Sequence, residues 1–210
     1  TAMGASIFTL EAWINRQGPG VGTTTGSGGI DPAIPIVTKG TSEVDDGDNL
    51  DMNYFLGLNG TTGVLVADFE EGAGGASPSL NHPISGTTVI PLNTWTHVAA
   101  TYDGTWRLYV NGVLDGTPLA VNQPPRADSI QPFGIGTAFE SNGVPEGFFN
   151  GVIDEVRVWS VARTATEIQN NMALEIATAP NLLGRWGFND GAGTLVADST
   201  GTANGSLNGT

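Results

Sequence analysis

Cysteine is absent from the 210 residues. No disulfide framework, thiolate nucleophile or zinc–thiolate centre is therefore open to this chain. Secretion stays possible, since a core of this size needs no covalent staples. Basic residues are scarce as well. Seven Lys and Arg, with Lys39 the single lysine, stand against 21 Asp and Glu, for a net charge of −14. Nucleic acid and anionic membrane surfaces both need clustered cations and are disfavoured as partners. Histidine occurs twice, at His82 and His97, so a nucleophilic triad has few ways to exist. Gly-x-Ser-x-Gly, His-Glu-x-x-His and phosphate-binding glycine patterns do not occur. No apolar run approaches the roughly 20 residues of a membrane-spanning helix, and no secretory leader is present. Thr1 stands where an initiator methionine would, which marks a processed or excised piece.

Glycine is plentiful, with 31 residues beside 12 prolines, and 39% of the chain is hydrophobic in short runs. That combination predicts many turns around one all-β domain. The organising stretch is Trp95 to Thr117, a hairpin turning at Asp103-Gly104 with a second turn at Asn111-Gly112. Both dipeptides tolerate the positive φ of tight hairpins. Val98, Ala100 and Tyr102 alternate with His97, Ala99 and Thr101; Trp106, Leu108 and Val110 alternate with Arg107, Tyr109 and Asn111. Period two marks strands. Further strands are expected over Ile7 to Ile14, Ile34 to Thr38, Met52 to Leu58, Val64 to Phe69, Val89 to Leu92, Ile130 to Ala138 and Phe148 to Trp159. Thr164-Ala-Thr-Glu167 reads as a capping box opening one short helix, to about Met172.

Three charged features stand out. Glu11 shares a strand face with Trp13 and needs a partner if that face is interior. Asp154 falls between Val152, Val156 and Val158 and must be paired, hydrogen-bonded or metal-bound. Asp45, Asp46, Asp48, Asn49 and Asp51 crowd one glycine-containing loop. That loop departs from an EF-hand, because Asp46-x-Asp48 is followed by Leu50 where a third oxygen ligand would be needed, and a solvated acidic loop is its plain alternative. Trp106 directly follows the hairpin turn and is the expected exposed sugar-stacking face, with Arg107 and Tyr109 beside it. Trp13, Trp95, Trp159 and Trp186 lie in strands or at strand starts and read as core.

Trp-Thr-His-Val-Ala-Ala-Thr-Tyr-Asp-Gly followed by Trp-Arg-Leu-Tyr-Val-Asn-Gly resembles the central signature of laminin-G-like, concanavalin A-like (pentraxin-related) domains. Phe8-Thr-Leu-Glu-Ala-Trp-Ile14, Phe149-Asn-Gly-Val-Ile-Asp-Glu-Val-Arg-Val-Trp159 and Ala162-Arg-Thr-Ala-Thr-Glu-Ile168 are similar to further blocks of that family. The resemblance implies an all-β, two-sheet antiparallel jelly-roll sandwich with one short helix near 164–172. It implies a domain over 1–181 and a C-terminal strand segment, 182–210, that completes the same sandwich or pairs with a neighbouring repeat. Asp198-Ser-Thr-Gly-Thr-Ala-Asn-Gly205 resembles a family loop placed around structural Ca²⁺. It implies metal ligation by Asp198, Gly201 and Asn204, with Asp154 as a partner; a hydrogen-bonded Asx-turn loop is the alternative. The implied function is a non-catalytic, extracellular or cell-surface recognition and adhesion module from a larger, bacterial, secreted or surface protein. It would bind glycan or a matrix protein with calcium assistance. A structural repeat linked to neighbouring copies through its C-terminal strands is a second reading, and a glycosidase a third. Against the third, the nearest match to the Glu-x-Asp-x-x-Glu of jelly-roll glucanases, Glu43-x-Asp45-x-x-Asp48, lacks the last glutamate.

Overall fold

The computed structural model describes residues 3–43 and 51–208. The acidic positions Asp45, Asp46, Asp48 and Asn49 lie outside the described residues. The strands, in chain order, are β1 Phe8–Arg16, β2 Ala33–Lys39, β3 Tyr54–Asn59, β4 Val64–Asp68, β5 Ile84–Val89, β6 Trp95–Tyr102, β7 Thr105–Val110 and β8 Val113–Leu114. They continue as β9 Leu119–Ala120, β10 Phe133–Ile135, β11 Thr137–Phe139, β12 Pro145–Phe148, β13 Gly151–Trp159, β14 Leu182–Trp186, β15 Leu195–Val196 and β16 Gly205–Ser206. One helix, α1 Ala165–Asn171, follows β13. A seven-stranded sheet runs β14-β13-β1-β6-β7-β8, with β9 also paired to β7, and a five-stranded sheet runs β10-β2-β3-β4-β5. Every pairing within these two sheets is antiparallel. Their inner faces meet over Phe8, Leu10, Ile14, Val98, Ala100, Leu108 and Val158 from one sheet and Ile34, Tyr54, Leu56, Leu65 and Ala67 from the other. This is the expected jelly-roll sandwich with one short helix.

Differences from the expected elements have local causes. The strand before the central hairpin is Ile84–Val89, and Val89 ends it rather than starting one. The stretch expected as one strand from Ile130 breaks in two at Gly136, which sits at φ +74. The largest change is on β13. Its register against β1 steps from Glu11↔Arg157 to Trp13↔Asp154, two residues against three, and Glu155 at the step has φ +49. An extra residue in one strand reverses the facing of everything beyond it. Val156 and Val158 therefore face the core, while Asp154 and Val152 face outward opposite Trp13 and Asn15. Asp154 is not a charge on an apolar stripe, because the bulge divides the stripe.

The outer face of the seven-stranded sheet is partly roofed by α1. Thr164 caps the helix, its hydroxyl accepting from the Glu167 N–H at 3.2 Å while the Glu167 carboxylate accepts from the Thr164 N–H at 2.8 Å. Ile168 packs down on Ala99 and Tyr109. The helix's trailing carbonyls are met from the sheet: Trp13 Nε1 donates to Met172 O at 2.7 Å, and the Arg157 guanidinium donates to Asn171 O and Leu174 O. A cation at the carbonyl end of a helix opposes its dipole. The C-terminal segment joins the same sheet, β14 pairing with β13, and Trp186 enters the core stacked on Phe133 at 4.6 Å.

Candidate functional site

Under α1 the sheet holds a buried polar cluster. Glu11 is fully buried, and its Oε1 accepts from Trp159 Nε1 at 2.8 Å and Arg163 Nη1 at 3.2 Å. His97 Nε2 lies 3.5 Å from its other oxygen, and Arg157 Nη1 lies 3.6 Å from Oε1. Burial pushes the Glu11 carboxyl up, but the hydrogen bond and charge of His97 and the charges of Arg157 and Arg163 outweigh it and hold it below the usual range. These groups are sealed from solvent and act structurally.

Where α1 ends, the roof ends too. The residues after it, Met172 to Glu175, form one wall of a cleft of about 410 Å³ with Trp13, Trp95, Asp154 and Glu155. The strand register builds its floor. Trp13 is flanked by His97 on one neighbouring strand and Asp154 on the other; the next outward row is Trp95, Asn15 and Val152. Trp95 is 45% exposed, and Val152, Leu174 and Leu92 nearby are exposed too. Asp154 Oδ1 accepts the Glu155 N–H at 2.8 Å, which leaves the rest of the carboxylate facing the cleft. Glu155 is tied down from two sides: Arg157 Nη2 and Arg185 Nε each reach its Oε2 at 3.0 Å, and Arg185 Nη2 meets its Oε1. Burial raises its carboxyl, yet the hydrogen bonds and charges of Arg185 and Arg157 prevail and keep it ionised below the usual range. Arg185 also pairs with Glu175 at 2.9 Å. An indole face beside carboxylate oxygens can stack on a sugar ring and accept from its hydroxyls.

The three aromatic and basic residues expected to bind ligand do not form one surface. Trp106 is 0% exposed, among Phe8, Phe69 and Tyr102 with ring centroids 5.1–5.6 Å away, and its Nε1 donates to His82 O at 2.8 Å. Its place on the Leu108 face of β7 directs it inward, turn or no turn. Tyr109 points the other way and is covered by Ile168 of α1. Arg107 is half-buried on that outer side, paired with Asp103 at 2.9 Å. Trp95, expected in the core, is the exposed indole. Its signal in the sequence is the alternation that puts it on the His97 face, at the first position of β6 where the sheet frays.

The expected metal residues are also separated. Asp154 lines the cleft, whereas Asp198 bridges to Trp186 beside β14. Asp198 is 4% exposed and its carboxylate is filled by donors. Oδ1 accepts the N–H groups of Arg185 at 2.9 Å and Thr200 at 3.0 Å. Oδ2 accepts the Thr200 hydroxyl at 2.6 Å, the Thr202 hydroxyl and N–H at 3.1 Å each, and the Ala203 N–H at 3.0 Å. Burial raises this carboxyl, but the Thr200 hydroxyl and the surrounding N–H groups bring it below the ordinary aspartate value. Gly201, at φ +76, closes the turn with its N–H on Asp198 O, and Asn204 Oδ1 accepts the Asp198 N–H at 3.0 Å. Calcium needs six to eight converging oxygen acceptors. A carboxylate ringed by N–H donors does not fit it, and the loop is a hydrogen-bonded Asx-type turn. Among the described residues no three Asp, Glu or His side chains gather to hold a metal ion, and no helix is long and apolar enough to cross a membrane.

A family model described as the concanavalin A-like lectin/glucanases superfamily matches residues 1–169. Among solved structures, a Bacteroides ovatus protein assigned to carbohydrate binding is similar at 27% identity and TM-score 0.65, over 97% of this chain and 52% of that one. The chain thus spans about half the length of that relative. The heptameric SAP-like pentraxin of Limulus polyphemus is similar at 19% identity and TM-score 0.50, over 79% of this chain and 69% of that one. The CBM40 module of a Ruminococcus gnavus IT-sialidase, solved with α2,3-sialyllactose, is similar at 13% identity and TM-score 0.57, over 80% and 83%. The last two show shared fold alone. No curated protein matches. The 169 residues matched by the family model include the central hairpin, the β13 block and most of α1, and the chain belongs to the concanavalin A-like lectin/glucanases superfamily.

Proposed function

We propose that this chain is a non-catalytic carbohydrate-binding module and that the Trp95 cleft is its glycan site. The observation that carries this reading is an exposed indole beside an acceptor-rich cleft wall, on a sheet face partly roofed by a helix. The Bacteroides ovatus relative assigned to carbohydrate binding supports the ligand class. Binding is favoured over hydrolysis by the state of the cleft's carboxylates. Glu155, tied to Arg157 and Arg185 with its carboxyl below the usual range, is poorly suited to the general-acid role, and a glycosidase needs one protonated and one ionised carboxyl across the bond. A module of this kind would act outside the cell or on its surface, where polymeric glycans are met. Calcium assistance through the Asp198 loop is not part of this proposal, because donors already occupy that carboxylate.

A glycan array probed with the wild-type chain and with Trp95→Ala tests the proposal. Binding to a defined sugar family, lost in Trp95→Ala while the melting temperature is kept, is the expected result. Binding that survives Trp95→Ala would place the site elsewhere, and a blank array from folded protein would sink the carbohydrate reading.

A further inference from the structure

We infer that the Trp95 cleft prefers glycans carrying a free amino group, unacetylated hexosamine units, over neutral and acidic sugars. This rests on the glycan-site reading and adds the chemical class. Its basis is an imbalance of negative over positive charge beside an exposed indole.

The cleft's side-chain oxygens are those of Asp154, Glu155 and Glu175. One row along the sheet, between Trp95 and Val152, Asn15 Oδ1 is buried and has no hydrogen-bond partner. Part of the donor complement on the protein side is already committed. Trp13 Nε1 is held by Met172 O. The two arginines nearest the cleft are consumed as well, Arg157 by Glu155 and the α1 carbonyls, Arg185 by Glu155 and Glu175. Among the described residues Asp154 has no cation partner, and its one hydrogen bond is from the Glu155 N–H. An uncompensated carboxylate beside an exposed indole is the arrangement that attracts an ammonium group, by charge and by the negative face of the ring.

The rest of the molecule agrees. Lys39 is buried on Gln131 O, Arg126 pairs with Glu70, Arg163 with Glu11, Arg107 with Asp103, and Arg16 donates to the Gly18 and Ile90 carbonyls. With the two arginines at the cleft, that accounts for all seven Lys and Arg. Among the described residues only Arg16 and Lys39 lack a carboxylate partner and neither lines the cleft, and a net charge of −14 repels polyanions and draws polycations.

The test is calorimetric titration of the full chain with four probes: a glucosamine tetramer, the same tetramer fully N-acetylated, cellotetraose and 3′-sialyllactose. The glucosamine tetramer is expected to bind at least about five-fold more tightly than its acetylated form, the scale of one partly exposed ion pair. That margin should shrink as salt is raised from about 50 to about 500 mM, where screening becomes short-ranged. It should disappear in Asp154→Asn, a substitution that keeps an oxygen for the Glu155 N–H. The salt series needs no variant, so the inference stays falsifiable should Asp154→Asn fold poorly. Equal affinity for the amino and acetylated tetramers, or preference for sialyllactose, overturns the inference. If neutral tetramers bind and Trp95→Ala abolishes that binding, the glycan site stands without the amine preference. Silence from all four probes counts against both.

Discussion

Trp106 and Trp95 show how little residue type says about role and how much position says. Trp106 follows a turn and was expected outside; Trp95 begins a strand and was expected inside. Alternation alone assigns them correctly. Trp106 shares the face of Leu108 and Val110, and Trp95 shares the face of His97. The consequences for stability differ accordingly. Trp106→Ala removes a fully buried ring packed on three others and should cost about 3–5 kcal/mol, read by urea denaturation. Trp95→Ala, nearly half exposed, should cost less than about 1 kcal/mol in the same experiment while abolishing glycan binding. The reverse pattern would mean the two rings have been placed on the wrong sides. Glu11 is the third telling residue. Its need for a partner was legible from its strand face. That the partners are Trp159, Arg163, Arg157 and His97 was not, because they come from β13, the turn after it and β6. Glu11→Ala leaves the buried Arg163 guanidinium and the Trp159 N–H without their carboxylate and should cost about 3–5 kcal/mol.

Among the elements, those with strong local codes were legible and those set by pairing were not. The central hairpin is fixed by Asp103-Gly104 and Asn111-Gly112, and α1 by the Thr164/Glu167 box; both stand where the sequence puts them. The bulge at Glu155 has no such code. Glutamate is a poor residue for φ +49, and what holds it there is the grip of Arg157 and Arg185 on its carboxylate, a tertiary effect. That one residue decides that Asp154 faces the cleft, so the site could not be assembled from spacing. The 182–210 segment is similar in this respect. Its strand chemistry was visible, but its place beside β13 depends on Asp198, whose carboxylate binds the β14 backbone at Arg185 to the turn at Thr200–Ala203. Asp198→Ala should therefore lower the melting temperature strongly, and by the same amount with and without a calcium chelator. A chelator effect in the wild type that Asp198→Ala erases would restore a metal to this loop.

For the whole molecule, the carboxyl groups set a stability profile with pH that runs against the usual expectation for an acidic protein. Glu11, Glu43, Glu155, Glu167 and Asp198 all have carboxyls below their ordinary values in the fold. Their contribution is complete above the unfolded values, 4.5 for glutamate and 3.8 for aspartate, and is lost as pH falls further. Asp68 does the opposite. Burial at the end of β4 pushes its carboxyl up to about 8, against the hydrogen bond from Thr25 Oγ1 and the weaker pull of the nearby His82, Phe69 and Asn81 polar groups. Between its unfolded value of 3.8 and about 8 the folded protein holds a proton that the unfolded chain has released. Stability must then fall as pH rises through that window. Lys39, lowered to about 8 by burial, adds a compensating rise only above that pH, toward 10.5. The maximum is thus expected just above pH 4.5, where the lowered glutamates are ionised in both states and Asp68 is still protonated in the fold. Self-repulsion from a net charge of −14 would slope the same way, so the decisive comparison is with Asp68→Asn. Asparagine is neutral throughout and can still accept from Thr25 Oγ1, which lies 2.6 Å from Asp68 Oδ2. Melting temperatures from pH 5 to 8 should descend more steeply in the wild type than in Asp68→Asn, the two curves converging toward pH 5 and separating toward pH 8. Parallel curves would mean that Asp68 is ionised in the folded protein, and that the descent belongs to surface charge alone.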